Sequence, residues 1–183
     1  SHPVTGCEKK GIAASGEVQL NDAICVITPT SRTDHESCHR VDDFWKNLGM
    51  KTIRLSPDEH DAALARSSHL PHLLAGALVT VQTDRSMSIS GPGLRDMTRL
   101  ASSDSAMWVD IAEQNSGELS KALKEFGQEV MRLAQEVETM GAQSGEGVEA
   151  ARERLFRFLA DARQRRDNRF AVTAKIAAII PPS

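Results

Sequence analysis

Six histidines are spread over the 183 residues, and three of them, His60, His69 and His72, fall within one short stretch. Imidazole is the side chain that gains or loses a proton near neutral pH, so paired histidines are candidates for proton transfer. His69 and His72 are three residues apart in Ser67–Leu78, and on a helix they share a face. Pro71 lies between them and would remove a backbone hydrogen bond and kink the axis. The alternative is one helix ending at Ser67 and another starting near Leu70, with Ser68 as cap and both imidazoles serving only as hydrogen-bonded structure. Arg95 and Arg99, spaced i, i+4 just after Gly91-Pro92-Gly93, present guanidinium forks of the kind that grip a carboxylate. Asp96 and Asp104 are near enough in sequence to tie one of them up instead. Two metal sets can be drawn, His35 with His39, and His60-Asp61 with His69 and His72. The first lies on a polar face beside Glu36 and Arg40, the second lacks a close third ligand, and no metal is expected. Carboxylate recognition, proton-accepting histidines and a partial α/β unit together suggest an enzyme acting on a small acid.

Composition narrows the class. A net charge of −3 indicates neither a nucleic-acid groove nor an anionic membrane surface as partner. The charge is uneven: residues 58–115 carry four basic against eight acidic side chains, which makes the arginines there conspicuous. No apolar run reaches the roughly 18 residues of a membrane span, and no secretory leader is expected. The three cysteines, Cys7, Cys25 and Cys38, show no paired spacing, which favours a reducing cytoplasm. The abrupt opening on Ser1-His2-Pro3 without Met reads as the interior of a larger protein.

The elements that must position these residues follow from pattern. Residues 1–23 read as loop and turn. Ala23–Thr28 is a continuous apolar run ended by Pro29, the mark of a short buried strand. Thr33-Asp34-His35-Glu36 fits a capping box with Thr33 as cap, followed by Val41, Phe44, Trp45 and Leu48 at helical spacing and by Gly49 as the stop. Lys51–Leu55 reads as a second strand, completing a βαβ unit. Ser56-Pro57-Asp58-Glu59 opens a helix, and Ala62 to Gln82 continues as helix interrupted only at Pro71. Ser88–Gly93 reads as loop. Leu94 to Asn115 holds two short helices, the second starting at Ser102-Ser103-Asp104.

Leu119, Leu123, Phe126, Val130, Leu133, Val137 and Met140 alternate spacings of four and three, a near-heptad seam. After a turn at Gly141–Gly147, Val148, Ala151, Leu155, Phe158, Leu159 and Ala162 form a matching stripe, so an antiparallel helical hairpin is expected. Arg163, Arg165, Arg166 and Arg169 fit a solvated helix end. The apolar tail from Ala171 to Ile180 must pack on its own domain or across a subunit boundary.

Six stretches, in order, resemble the prephenate/arogenate dehydrogenase family of tyrosine biosynthesis. They are Ser1–Gly11 (SHPVTGCEKKG), Ile27-Thr28-Pro29 with Thr33-Asp34, Pro57–Asp61 (PDEHD), Ser68–His72 (SHLPH), Gly93–Ala101 (GLRDMTRLA), and Ser103–Ile111 (SDSAMWVDI) with Asn115. They cover roughly residues 1–130. The resemblance implies a fold that is mainly α: a residual α/β segment from the end of a Rossmann-type domain (1–57), then an all-helical substrate-binding and dimerisation domain (58–183). It implies NAD- or NADP-dependent oxidative decarboxylation of prephenate or arogenate by a homodimer.

By position, the resemblance implies that His2 is the catalytic histidine, accepting the ring hydroxyl's proton. It implies that Arg99 binds a substrate carboxylate, that His72 binds substrate, and that Glu8 pairs with that arginine and gates the site. Ser68 and Trp108 would line the pocket, supported by His69, Asp96 and Arg95. The earlier part of the dinucleotide domain, with its glycine-rich phosphate loop, has no counterpart, so the fragment alone is expected to be inactive and its cofactor-binding residues are unknown. Gly93-Leu94 stands where the family usually has an aromatic, and Pro92 where it has a glycine. The alternative reading is a non-catalytic helical dimerisation or ligand-sensing module.

Overall fold

The computed structural model describes residues 1–5, 19–141 and 146–177, with side chains through 169 but not that of 146. Glu8, Cys7, the glycines at 6, 11 and 16, turn residues 142–145 and the tail end at 178–183 lie outside the described residues. Two compact units are present, Ser1–Leu123 and Lys124–Ser183.

The first unit opens with a three-stranded sheet in the order β1 (His2–Val4), β2 (Ile24–Ile27), β3 (Lys51–Arg54). β2 and β3 are parallel and joined by helix α1 (His35–Asn47), which is the expected βαβ unit. β1 is a strand where the sequence reads as loop. It pairs antiparallel with β2, setting His2 opposite Val26. Three residues are too few for alternation to show, and the pairing partner is more than twenty positions away.

Cys25, Val26 and Ile27 are buried, as a strand covered on both faces requires. α1 is capped by Asp34, whose carboxylate accepts from the Ser37 amide at 2.7 Å. Thr33, the expected cap, instead accepts from the Thr30 amide at 3.0 Å. The carboxylate acts from one residue further along, where it reaches the free amides of the first turn. The expected apolar stripe of α1 also faces outward in part: Phe44 is 56% exposed, while Cys38 and Asp42 are buried. Asp42 earns its burial through Thr52 and Arg54 on β3 and Lys46 on its own helix. The Thr52 hydroxyl, then Lys46 and Arg54, hold its carboxyl below the usual carboxylate range. Gly49 stops the helix at φ +84°, where a side chain would also strike Asn21.

Ser56 forms the expected capping box with Glu59 at the start of α2 (Pro57–Leu64). α2 runs without a break into a single π-helical turn, Ala65–His69, and then α3 (Leu70–Thr80). The Leu70 amide bonds to the Ala65 carbonyl, five residues back. Pro71 sits in the first turn of α3, where a missing amide hydrogen is tolerated. The helix therefore accommodates Pro71 by widening one turn, and Ser68 makes no side-chain cap there. α4 (Asp84–Ser88), absent from the sequence reading, is capped reciprocally by Thr83 and Ser86. α5 (Pro92–Thr98) leads into a 3₁₀ turn (Arg99–Ser102), and α6 (Ser105–Gln114) starts at the cap Asp104. α7 (Ser116–Met140) buries Leu119 and Ala122 in this unit.

The second unit is the later part of α7 with α8 (Glu146–Ala177). The expected hairpin forms: Arg154 on α8 grips Glu136 on α7 with two bonds of 2.7 and 2.8 Å. Arg132 lies over the Phe158 ring, 5.5 Å from its centre. The seam differs from the sequence reading. Ala151 and Glu136 are buried, while Val137 and Leu159 are 55% and 58% exposed. Part of the apolar stripe thus points away from the hairpin. Among the described residues, no helix is long and apolar enough to cross a membrane.

Candidate active site

A chain of imidazoles and amides joins the sheet to the helices of the first unit. His2 sits at the start of β1, opposite the carboxyl end of β2. Its Nδ1 lies 3.0 Å from Nε2 of His60 on α2. His60 Nδ1 is 2.8 Å from the Asp61 carboxylate. A carboxylate only accepts, so His60 carries its proton on Nδ1. Asn115, at the end of α6, donates its amide Nδ2 to the Asp61 carbonyl at 2.8 Å. The same nitrogen is 3.3 Å from His69 Nδ1. The Asp61 carbonyl requires a donor, so Nδ2 is that donor and His69 Nδ1 is the accepting nitrogen.

The π turn places the next two imidazoles. His69 is 8% exposed. Its ring stands edge-on to the Trp108 indole at 6.0 Å between centres. His72, on α3, lies flat on the same indole at 3.6 Å and 24°. His72 Nδ1 donates to the Ser68 carbonyl at 2.9 Å, which leaves its Nε2 bare in the neutral ring. Ser68 thus serves the site through its main chain. Below His72 and Trp108 is a mostly apolar hollow of about 360 Å³, walled by α3, the 3₁₀ turn and α6. The Trp108 indole nitrogen is buried without an acceptor among the described residues.

Electrostatics favour neutral bases. Burial, then the neighbouring His60, pushes the His2 imidazole below its usual value of 6.5. Burial, then His2 and His72, does the same to His69 and outweighs the opposing pull of Asp61. A neutral imidazole at neutral pH can accept a proton.

Of the residues singled out in the sequence, His2, His69, His72, Trp108 and Ser68 come together. Arg99 is exposed on the 3₁₀ turn, immediately before Leu100 and Ala101 in the wall of the hollow. Arg95 and Asp96 are exposed on α5, and Arg95 borders a separate shallow depression with Met87 and Leu94. Among the described residues, neither Arg95 nor Asp96 is hydrogen-bonded into the imidazole chain. Asn115 was not singled out as a site residue, and Asp61 and His60 entered only through the histidine cluster and the metal set, although each lies in a motif quoted above. Among the described residues, no three His, Cys, Asp or Glu side chains converge as a metal site. His35 and His39 instead meet edge to face at 4.5 Å.

The β2–α1 connection is not built as a dinucleotide phosphate site. Residues 28–34 contain no glycine, and the Asp34 carboxylate already occupies the helix N-terminus. A carboxylate there repels a phosphate, so this βα turn does not fit one.

Comparison with known proteins matches residues 56–161 to the family model "Prephenate dehydrogenase, dimerization domain" and residues 1–54 to "Prephenate dehydrogenase, nucleotide-binding domain". The match extends past residue 130, where the quoted motifs stop. A prephenate dehydrogenase of Bacillus subtilis is 32% identical over 173 residues, which are 91% of this chain and 44% of that protein. The chain therefore spans less than half the length of that relative. The structure of Aquifex aeolicus prephenate dehydrogenase with hydroxyphenyl propionate and NAD+ is 28% identical at a TM-score of 0.69. That likeness covers 81% of this chain and 50% of the other. Synechocystis arogenate dehydrogenase is 25% identical at a TM-score of 0.74, covering 91% and 59%.

Proposed function

This chain belongs to the prephenate dehydrogenase family, and we propose that it forms the substrate site of an enzyme for oxidative decarboxylation of prephenate or arogenate. The boundary between its cofactor-side segment and its helical domain is placed at 57/58. When bound, a nicotinamide coenzyme, NAD or NADP, supplies the hydride acceptor. The βα turn here offers no phosphate cradle, so the coenzyme's phosphates would be held elsewhere in the nucleotide-binding domain.

One observation carries the reading: His2, its imidazole held below 6.5 and hydrogen-bonded to His60, in the same chain of contacts as the His72–Trp108 stack. In this proposal His2 Nε2 accepts the proton of the ring hydroxyl as that carbon is oxidised. His2 returns the proton to the phenol oxygen when CO2 leaves and the ring becomes aromatic. His72 and Trp108 hold the planar part of the substrate. Arg99 pairs with a carboxylate, and Glu8 with Arg99. Ser68 and His69 support the pocket, with Asp96 and Arg95 further out. The exposed Val137, Phe156 and Leu159 support a homodimer through the helical hairpin. The buried free thiols Cys25 and Cys38 favour a cytoplasmic location.

The test is kinetic, in the polypeptide that carries this chain with a complete nucleotide-binding domain. His2→Asn is expected to lower kcat on prephenate by roughly 10²- to 10⁴-fold, the usual contribution of a positioned base. Unchanged turnover by that variant would sink the proposal.

A further inference from the structure

We propose that Asp61 and His60 act as a positioning pair that fixes which nitrogen of His2 carries the proton. The inference rests on the reading of His2 as the base. Asp61 Oδ1 is 2.8 Å from His60 Nδ1, and His60 Nε2 is 3.0 Å from His2 Nδ1. The carboxylate can only accept, so His60 Nδ1 bears a hydrogen. In the neutral His60 ring the other nitrogen, Nε2, is then bare and accepts. Its partner, His2 Nδ1, must donate. A neutral His2 that donates from Nδ1 has a bare Nε2, which is the form able to take a proton from substrate. Among the described residues no hydrogen bond engages that Nε2. The carboxylate's preference is thereby passed through two rings, and the wrong tautomer of His2 would set two N–H groups against each other.

Three further features tie the pair to this task. His60 is held mostly out of solvent, with its side chain 17% exposed, so the ring has few alternatives to these two partners. Asn115 donates to the main-chain carbonyl of Asp61, fixing the residue from the far side. His2 belongs to the sheet and His60 to α2, so the pair also sets the distance between strand and helix. An orienting third group behind a base is a general requirement for proton transfer at a fixed angle.

The decisive measurement is nitrogen-detected imidazole NMR on the uniformly labelled 183-residue chain near pH 7.5, with no coenzyme or substrate. His2 is expected as the Nδ1–H tautomer with Nε2 bare. Asp61→Asn is expected to convert it to a mixture or to the Nε2–H form, with the helical circular dichroism retained. Asp61→Glu, which restores a carboxylate, is expected to recover the parent pattern at least in part. An Nε2–H His2 in the parent chain overturns the inference without any variant having to fold. A tautomer unmoved by Asp61→Asn overturns it as well.

Turnover separates this inference from the functional reading. In the polypeptide with the complete nucleotide-binding domain, Asp61→Asn is expected to lower kcat about 10- to 100-fold, less than His2→Asn, because the base itself remains. If His2→Asn leaves turnover intact while the tautomer behaves as expected, the catalytic reading fails and the positioning pair stands. If His2→Asn abolishes turnover and the tautomer is indifferent to Asp61, the pair fails alone.

Discussion

The imidazole of His72 lies flat on the indole of Trp108, 3.6 Å between ring centres, with its Nδ1 committed to the Ser68 carbonyl. The stack and the hydrogen bond together leave one edge of His72 available to a ligand. Replacing Trp108 with Leu removes the stacked support, worth about 0.5–1.5 kcal/mol. Prephenate is then expected to bind this chain roughly two- to tenfold more weakly by calorimetry. His72→Ala is expected to cost at least as much, since it removes a polar contact as well.

His2 and His69 are both held below the ordinary histidine value of 6.5, chiefly by burial. Between that value and the lower one each holds when folded, the unfolded chain binds more protons. Stability therefore rises with pH across this window, is level above it, and is lost as pH falls through it. Urea midpoints measured from pH 7.5 down to 5 should decline below about 6.5. His69→Gln should flatten that decline. The acid limb of kcat/KM, measured with the complete enzyme, should also lie below 6.5 if His2 is the base.

Arg99 carries the proposed carboxylate contact from an exposed 3₁₀ turn. A charged hydrogen bond contributes about 1.5–3 kcal/mol, so Arg99→Ala should weaken prephenate binding roughly 10- to 100-fold. Arg99→Lys should recover only part of this, because an ammonium cannot make the forked contact. Arg95→Ala should have a smaller effect. Equal losses at both arginines would move the carboxylate site toward α5.

Pro71 lies just after the π turn, in the first turn of α3. A proline in a regular helix interior costs about 3 kcal/mol. Here Pro71→Ala should change unfolding stability by no more than about 1 kcal/mol, since the widened turn already accommodates the ring. A large gain on substitution would show the helix to be strained at that point.

Local signals in the sequence served well where one turn decides the outcome. Gly49 as a stop, Ser56 with Glu59 as a capping box, and the β2–α1–β3 order all follow from short-range chemistry. β1 escaped notice because its stability comes from pairing with a distant strand. The orientation of α1 was misread because the buried charge of Asp42, satisfied by β3, outweighs the outward-facing Phe44. In the site, spacing could relate His69 to His72 but could not relate His2 to His60, which are 58 positions apart. Family resemblance supplied His2 and Trp108. It did not supply the links through Asp61 and Asn115, which are statements about atoms rather than residue types.

The turn at Ala65–His69 has a consequence for how this helix tolerates change in length. The backbone bond there closes five residues back instead of four, so the turn takes up roughly one surplus residue against the 3.6-residue turns on either side. Because the wide turn absorbs that residue, deleting it would let the segment close into regular helix with α2 and α3 keeping nearly the same faces. His60 and Asp61 would then stay on the side that carries His72. Relatives in which this helix serves the same site can therefore have one residue fewer between His60 and His72, with regular helix in place of the wide turn.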